Sequence, residues 1–327
     1  RLPQLLAYEF VRWAGFQVGR RGGRGANARR PQCSGAAANQ GGSPDGLLRT
    51  AARLLEPDRC IAGITRRLWR RHRGRQFIIE VLRQRCAWWY SGRRNRWTII
   101  TDFDDDLIIR LDRSAFMGSS IYWYGHHAGG EIRLLKQILK PEMVFVDVGA
   151  NQGEFTLCAA KRLPAGRVLS FEPYSQVYQQ LIDNIALNGF DNVTTYRLAL
   201  SDKTGVASIM IPSGIQPDRS FNEGLASLFA HRDGHVMVET VTMNLLDRVL
   251  QENPIHRVDV VKLDVEGAEL SVLRGAKLTL ARHRPAIITE IHEAAFHAAG
   301  YGYEEFLGLL GGFGYEFYLI DDDGETA

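Results

Sequence analysis

One stretch, residues 143–173 (MVFVDVGANQGEFTLCAAKRLPAGRVLSFEP), constrains the fold of this chain more than any other. Met143 to Val148 is an apolar run too short for a helix and rich in β-branched residues. It reads as a buried parallel strand. The run enters Asp147-Val148-Gly149-Ala150-Asn151-Gln152-Gly153, where two glycines allow a sharp turn and leave the main chain open to a ligand. A helical segment follows from Glu154 to Leu163 and is closed by Pro164 and Gly166. A second strand runs from Arg167 to Phe171, with Glu172 at its carboxyl end. Strand, Gly-rich turn, helix, strand and acid make the nucleotide-binding half of a doubly wound α/β fold.

The chemistry of the turn narrows the ligand. Glu172 lies 25 residues after Asp147, where a carboxylate can accept both hydroxyls of a ribose. The phosphate-binding pattern G-x-G-x-x-G is absent, because the glycine after Gly149 is Gly153. A carboxylate at position 147 repels phosphate and suits a cationic amino acid. S-adenosylmethionine carries a ribose, an ammonium and a sulfonium but no phosphate, so it fits better than a dinucleotide. Asp147 and Gly149 should face its methionine part and Glu172 its ribose, with Asn151 and Gly153 also at the cofactor. The next strand, Asn192 to Ala199, ends in Leu200-Ser201-Asp202, which places Ser201 and Asp202 near the adenine.

Downstream, Val258 to Glu266 (VDVVKLDVE) reads as another buried strand, with Lys262, Asp264 and Glu266 on one side at period two. Three charges in so apolar a strand are costly unless paired or functional. They serve the reaction or form a structural ion network. A helix is expected from Gly267 through Leu280. The strand Ala286 to Ile291 carries Glu290, and His292 lies just beyond. Asp264 is the leading candidate for a general base, with His292 behind it. Lys262 would be its charge partner or would stabilise the acceptor oxygen, Glu290 is a further catalytic candidate, and Asp264 is also expected to border the cofactor. Asp264 and Glu290 are the pair that could hold magnesium, which is not the favoured reading.

These residues resemble the FkbM family of S-adenosylmethionine-dependent methyltransferases. The resemblance rests on DVGANQGEFT (147–156), FEP (171–173), SDKTG (201–205), VVKLDVEGAELSVLRGA (260–276) and RPAIITE (284–290), and spans roughly 97 to 320. It implies a class I methyltransferase fold, a mostly parallel seven-stranded sheet flanked by helices. It also implies O-methylation of a hydroxyl on a sugar, glycan or secondary metabolite in a bacterium. A nucleic-acid methyltransferase and a non-catalytic S-adenosylmethionine-binding module are the alternatives. Against the first, N-P-P-Y and D-P-P-Y are absent.

The rest of the chain is read from pattern. Residues 1–120 hold 23 Arg, no Lys and 10 acids, a net charge of +13, while the remainder carries −10. Residues 1–95 are expected to be a basic extension, with a helix over 1–18, a flexible linker over 19–46 and further helices over 47–82. Residues 96–327 would be the methyltransferase domain. Trp97 to Asp112 reads as a hairpin about a solvated Asp104-Asp105-Asp106 turn. Residues 117–130 and 212–235 read as acceptor-lining loops carrying Tyr122, Trp123, Tyr124, His126, Asn222 and Ser227. None of Cys33, Cys60, Cys86 and Cys158 forms a C-x-x-C pair, and Cys158 reads as a reduced core thiol. With no apolar run of 18 residues, a cytoplasmic location is expected, and a homo-oligomer is compatible with the sequence.

Overall fold

The computed structural model describes residues 8–11, 97–212, 227–228, 236–321 and 324. The expected linker over 19–46, the helices over 47–82, and Asn222 lie outside them.

The central element is a sheet ordered β12-β1-β11-β10-β4-β5-β6. Its strands are β1 (Tyr8–Val11), β4 (Val144–Val148), β5 (Arg167–Phe171), β6 (Val193–Tyr196), β10 (Val260–Leu263), β11 (Ala286–Ile291) and β12 (Tyr318–Leu319). The five strands from β11 to β6 run parallel, and β1 lies antiparallel between β11 and β12. The helix expected over residues 1–18 is therefore a strand at Tyr8–Val11. This segment of aromatic and β-branched residues supplies the main-chain partners that β11 lacks on that side.

Alternation along the strands sends side chains to two cores. Phe145, Val168, Val260 and Ile288 pack on one face with helix α3 (Glu154–Arg162). Val146, Leu169, Val261 and Ile287 pack on the other with α5 (Leu246–Glu252), α6 (Glu269–Arg274), α7 (Lys277–His283) and α9 (Tyr303–Gly312). Burial on both faces is why these strands read as apolar runs. Helix α4 (Ser175–Asn188) joins β5 to β6, and the short α8 (Glu293–Ala298) follows β11. The strand expected over 192–199 breaks after Tyr196. Its last part, β7 (Ala199–Leu200), pairs instead with β9 (Val236–Asn244), whose other partner is β8 (Gly205–Pro212). The helix expected over 267–280 is two helices. It breaks at Gly275, where a Cβ would stand 2.0 Å from the carbonyl oxygen of Ser201.

Ahead of β4, β2 (Trp97–Phe103) and β3 (Leu107–Asp112) form the expected hairpin. Its turn is solvated at Asp105 and Asp106 but not at Asp104. Asp104 is 1% exposed and ion-paired to Lys136 and Arg162, while Lys161 Nζ bonds its carbonyl at 2.7 Å. The segment expected as an aromatic loop is helix α1 (Phe116–Tyr124), followed by α2 (Gly129–Ile138). Gly118 is a packing glycine rather than a loop signal, because a Cβ there would meet the Asp112 carbonyl at 2.1 Å. Tyr122 and Trp123 are core residues and do not line a loop.

The free side of β3 is closed by asparagines one turn apart on α4. Asn184 Oδ1 accepts from Arg110 N at 2.8 Å, and its Nδ2 donates to Gln152 O and Arg110 O. Asn188 Oδ1 accepts from Ile108 N at 2.8 Å and its Nδ2 donates to Ile108 O. Two side chains thus stand in for a neighbouring strand. Asn184→Ala leaves main-chain groups unpaired and should cost about 2 kcal/mol in denaturant unfolding, seen as a lower midpoint at unchanged slope.

Candidate active site

The site lies where β4, β5, β10 and β11 end. Asp147 is the fourth residue of β4 and is 1% exposed. Thr156, one turn into α3, donates its hydroxyl to Asp147 Oδ2 at 2.6 Å and takes a hydrogen bond from Ser170 Oγ at 2.7 Å. Asp147 Oδ1 is buried without a hydrogen-bond partner among the described residues. Burial pushes this carboxyl up to about 6; Thr156 and Lys262 pull it the other way. A buried acid with one bare oxygen is suited to an incoming cationic donor.

The two glycines do more for the protein than the sequence suggests. Gly149 adopts φ 80°, and a Cβ there would sit 1.8 Å from the Asp264 carbonyl oxygen. Its bareness is used by the turn after β10. Gly153 adopts φ 101°, with Leu181 in the place of its Cβ. Between them Asn151 takes φ 48°, and its Oδ1 accepts from Gln152 N. Glu172 closes the turn from β5. Its two oxygens accept from Asn151 N and Tyr174 N, each at 3.0 Å. Burial lifts its carboxyl to about 7 against those two amides. Each oxygen keeps a second lone pair for a hydroxyl donor.

Lys262 stands beside Asp147 in the register of β10 and β4. It is 4% exposed, with Nζ 3.3 Å from Asp264 Oδ2 and 5.0 Å from the centre of the Phe155 ring. The strand expected to reach Glu266 ends at Leu263, so Asp264 and Glu266 lie in a turn, Glu266 at φ 49°. Glu290 shares the face of Ile288, and burial ahead of Asp264 raises its carboxyl. His292 is half-exposed, 3.9 Å from Glu266 Oε2, and Glu266 raises its imidazole pKa. The structure thus gathers Asp147, Lys262, Asp264 and Glu290 along neighbouring strand ends. Ser201 and Asp202 stand apart on the β7 side, Ser201 buried and Asp202 exposed. Among the described residues no group of three or more His, Cys, Asp or Glu is placed to hold a metal ion.

Two buried acids went unnoticed in the sequence. Glu269 caps the turn after β10, accepting from Val265 N and Gly267 N at 3.0 Å and from the Tyr301 hydroxyl at 3.2 Å. Burial raises it to about 7. Glu154, the first residue of α3, accepts from His127 N at 2.8 Å. The signal for both was an acid in the first turn of a helix, beside a glycine. Ser227, expected to line a loop, instead donates Oγ to the Glu266 carbonyl at 2.7 Å. Cys158 is a buried core thiol, its pKa pushed up by burial.

Residues 147–317, just over half of the 327, match the family described as the methyltransferase FkbM domain. The chain belongs to the FkbM methyltransferase family. This FkbM-family chain is 28% identical over 214 residues to the AMB antimetabolite synthetase AmbE of Pseudomonas aeruginosa, covering 57% of the chain and 10% of AmbE. It is 30% identical over 154 residues to the methyltransferase sdnD of Sordaria araneosa, covering 40% of the chain and 59% of sdnD. It is 25% identical over 194 residues to the 2-O-methyltransferase NoeI of Sinorhizobium fredii, covering 55% of the chain and 76% of NoeI. The matched part spans less than two thirds of AmbE and of sdnD.

Proposed function

We propose that this chain is an S-adenosylmethionine-dependent O-methyltransferase acting on a hydroxyl of a sugar, glycan or secondary metabolite. The observation that carries the reading is the buried carboxylate of Asp147, with Oδ1 bare, at the end of β4 beside the turn of Gly149 to Gly153. Family membership and a relative named as a 2-O-methyltransferase support it.

S-adenosylmethionine, when bound, supplies a methyl group on a sulfonium to an attacking oxygen. Asp147 holds its ammonium, and Glu172 accepts from its ribose hydroxyls with the lone pairs that Asn151 N and Tyr174 N leave open. Ser201 and Asp202 border the adenine. Across from this half, Lys262 and Asp264 form a pair fixed by the Phe155 ring beneath and the Glu269-capped turn behind. That pair orients the acceptor oxygen, which is where positioning enters the rate. The tract of positive charge behind a nucleic-acid reading lies largely outside the described residues, and no described helix is long and apolar enough to cross a membrane.

Calorimetric titration with S-adenosylmethionine tests the cofactor half. Wild type should bind, and Glu172→Gln should bind about tenfold more weakly, the worth of one hydrogen bond to a charged group. Equal affinities remove the ribose role. No binding by wild type overturns the reading. Labelled methyl transfer to a panel of glycosides and hydroxylated aromatics tests the acceptor half.

A further inference from the structure

We infer that His126, oriented by the buried Glu154, accepts the proton of the acceptor hydroxyl. The inference rests on the methyltransferase reading and deepens it. Helix α1 ends at Gly125 in the left-handed region, and the next three residues turn back onto the first turn of α3. There Glu154 is 2% exposed. Its Oε1 takes the His127 amide at 2.8 Å and lies 3.4 Å from Nδ1 of His126. Oε2 is buried without a hydrogen-bond partner among the described residues.

The imidazole is 14% exposed; Nδ1 is buried and faces Glu154 at ion-pair distance without a hydrogen bond. Nε2 lies across the ring from Nδ1, on the edge away from the carboxylate. Phe103 packs edge-on against the ring at 5.2 Å and fixes its plane. A carboxylate facing one nitrogen selects the tautomer with hydrogen on Nδ1, which leaves Nε2 with a lone pair. That is the arrangement of a general base held by a positioning acid. The other titratable group beside the carboxylate is His127, whose exposed ring packs on Phe116. Burial alone would raise Glu154, but His126 and His127 together outweigh it and hold the carboxyl low.

The location suits the role. Glu154 and Phe155 are successive residues of α3, so one helix end holds both His126, through Glu154, and Lys262, through the Phe155 ring. Asp264 Oδ2 is paired with Lys262. In the step, the hydroxyl proton moves to Nε2 and an oxygen lone pair forms the new O–CH3 bond. The C–S bond breaks with its electron pair going to sulfur, which turns the sulfonium into a neutral thioether. The imidazolium, paired with Glu154, then gives its proton to solvent.

The test combines histidine nitrogen NMR of the full chain with transfer to the glycoside panel. His126 should carry hydrogen on Nδ1 when neutral, and Glu154→Gln should move the balance toward hydrogen on Nε2. Hydrogen on Nε2 in wild type, or a balance unmoved in the variant, overturns the dyad without any acceptor. His126→Gln should slow transfer by about 10²–10⁴-fold, with S-adenosylmethionine affinity held within about threefold. It should also remove the acidic limb of the pH–rate profile. A loss under tenfold, or a larger loss in Asp264→Asn with that limb intact in His126→Gln, assigns the proton to Asp264 and overturns the proposal. Wild type that binds S-adenosylmethionine but methylates nothing in the panel overturns the O-methyltransferase reading, and the catalytic role of His126 with it.

Discussion

Asp147→Asn should weaken S-adenosylmethionine binding about 100-fold while raising the melting temperature of the ligand-free protein above pH 6. The two effects have one cause. Asp147 is buried, and burial lifts its carboxyl to about 6 from an ordinary value of 3.8. A group whose folded-state pKa is raised binds more protons folded than unfolded. Stability therefore falls as pH rises from about 4 to about 6, and stays at the lower level above that. The neutral amide keeps the hydrogen bond from Thr156 and escapes the cost of a buried charge. On the proposed reading binding needs that charge, because the ammonium has no other buried anion so placed on β4. In wild type the affinity should fall close to tenfold per unit below about pH 6. Calorimetry at pH 5 and 8, with melting curves of both proteins, checks both halves. An unchanged affinity in the variant removes Asp147 from the donor site.

Asp104→Ala should be the most damaging single change to the scaffold. The carboxylate is 1% exposed and held by Lys136 from α2 and Arg162 from α3. Removing it strands two cations against a closed turn. Breaking a buried pair costs about 3–5 kcal/mol, or a melting-temperature drop of about 4–7 °C in a chain of this size. Burial pushes the Asp104 carboxyl up, but Arg162 and Lys136 outweigh that and hold it below 3.8. With the folded-state pKa depressed, the contribution is complete above the ordinary carboxylate range and is lost as pH falls below it. Wild type and variant should differ at pH 7 and converge in acid. A drop under 2 °C at pH 7 would mean that water replaces the carboxylate.

Much of this was legible in the sequence, for physical reasons. Strands β4, β5 and β11 were, because burial on both faces leaves a short apolar run that a helix does not produce. The placing of Asp147 and Glu172 at the ends of β4 and β5 beside the glycine turn was legible too, because each follows directly from where its apolar run stops. What escaped was set by contacts between distant parts of the chain. Gly118 and Gly275 looked like loop and helix-interior residues, but each lies against a remote carbonyl. Asp104 looked solvated like Asp105 and Asp106 because its cations stand 32 and 58 residues away, at Lys136 and Arg162. Tyr8–Val11 looked helical because its partner strand lies nearly the whole chain away. Local pattern carries periodicity; it does not carry the identity of the neighbour.

The contact of Gly149 with the Asp264 carbonyl has a further consequence. Main chain meets main chain there, with no side chain to act as a hinge or a spring between the donor half and the acceptor half. A compressible layer could let one half tilt while the other stays put, but two abutting backbones cannot. The floor of the site behaves as a single plate.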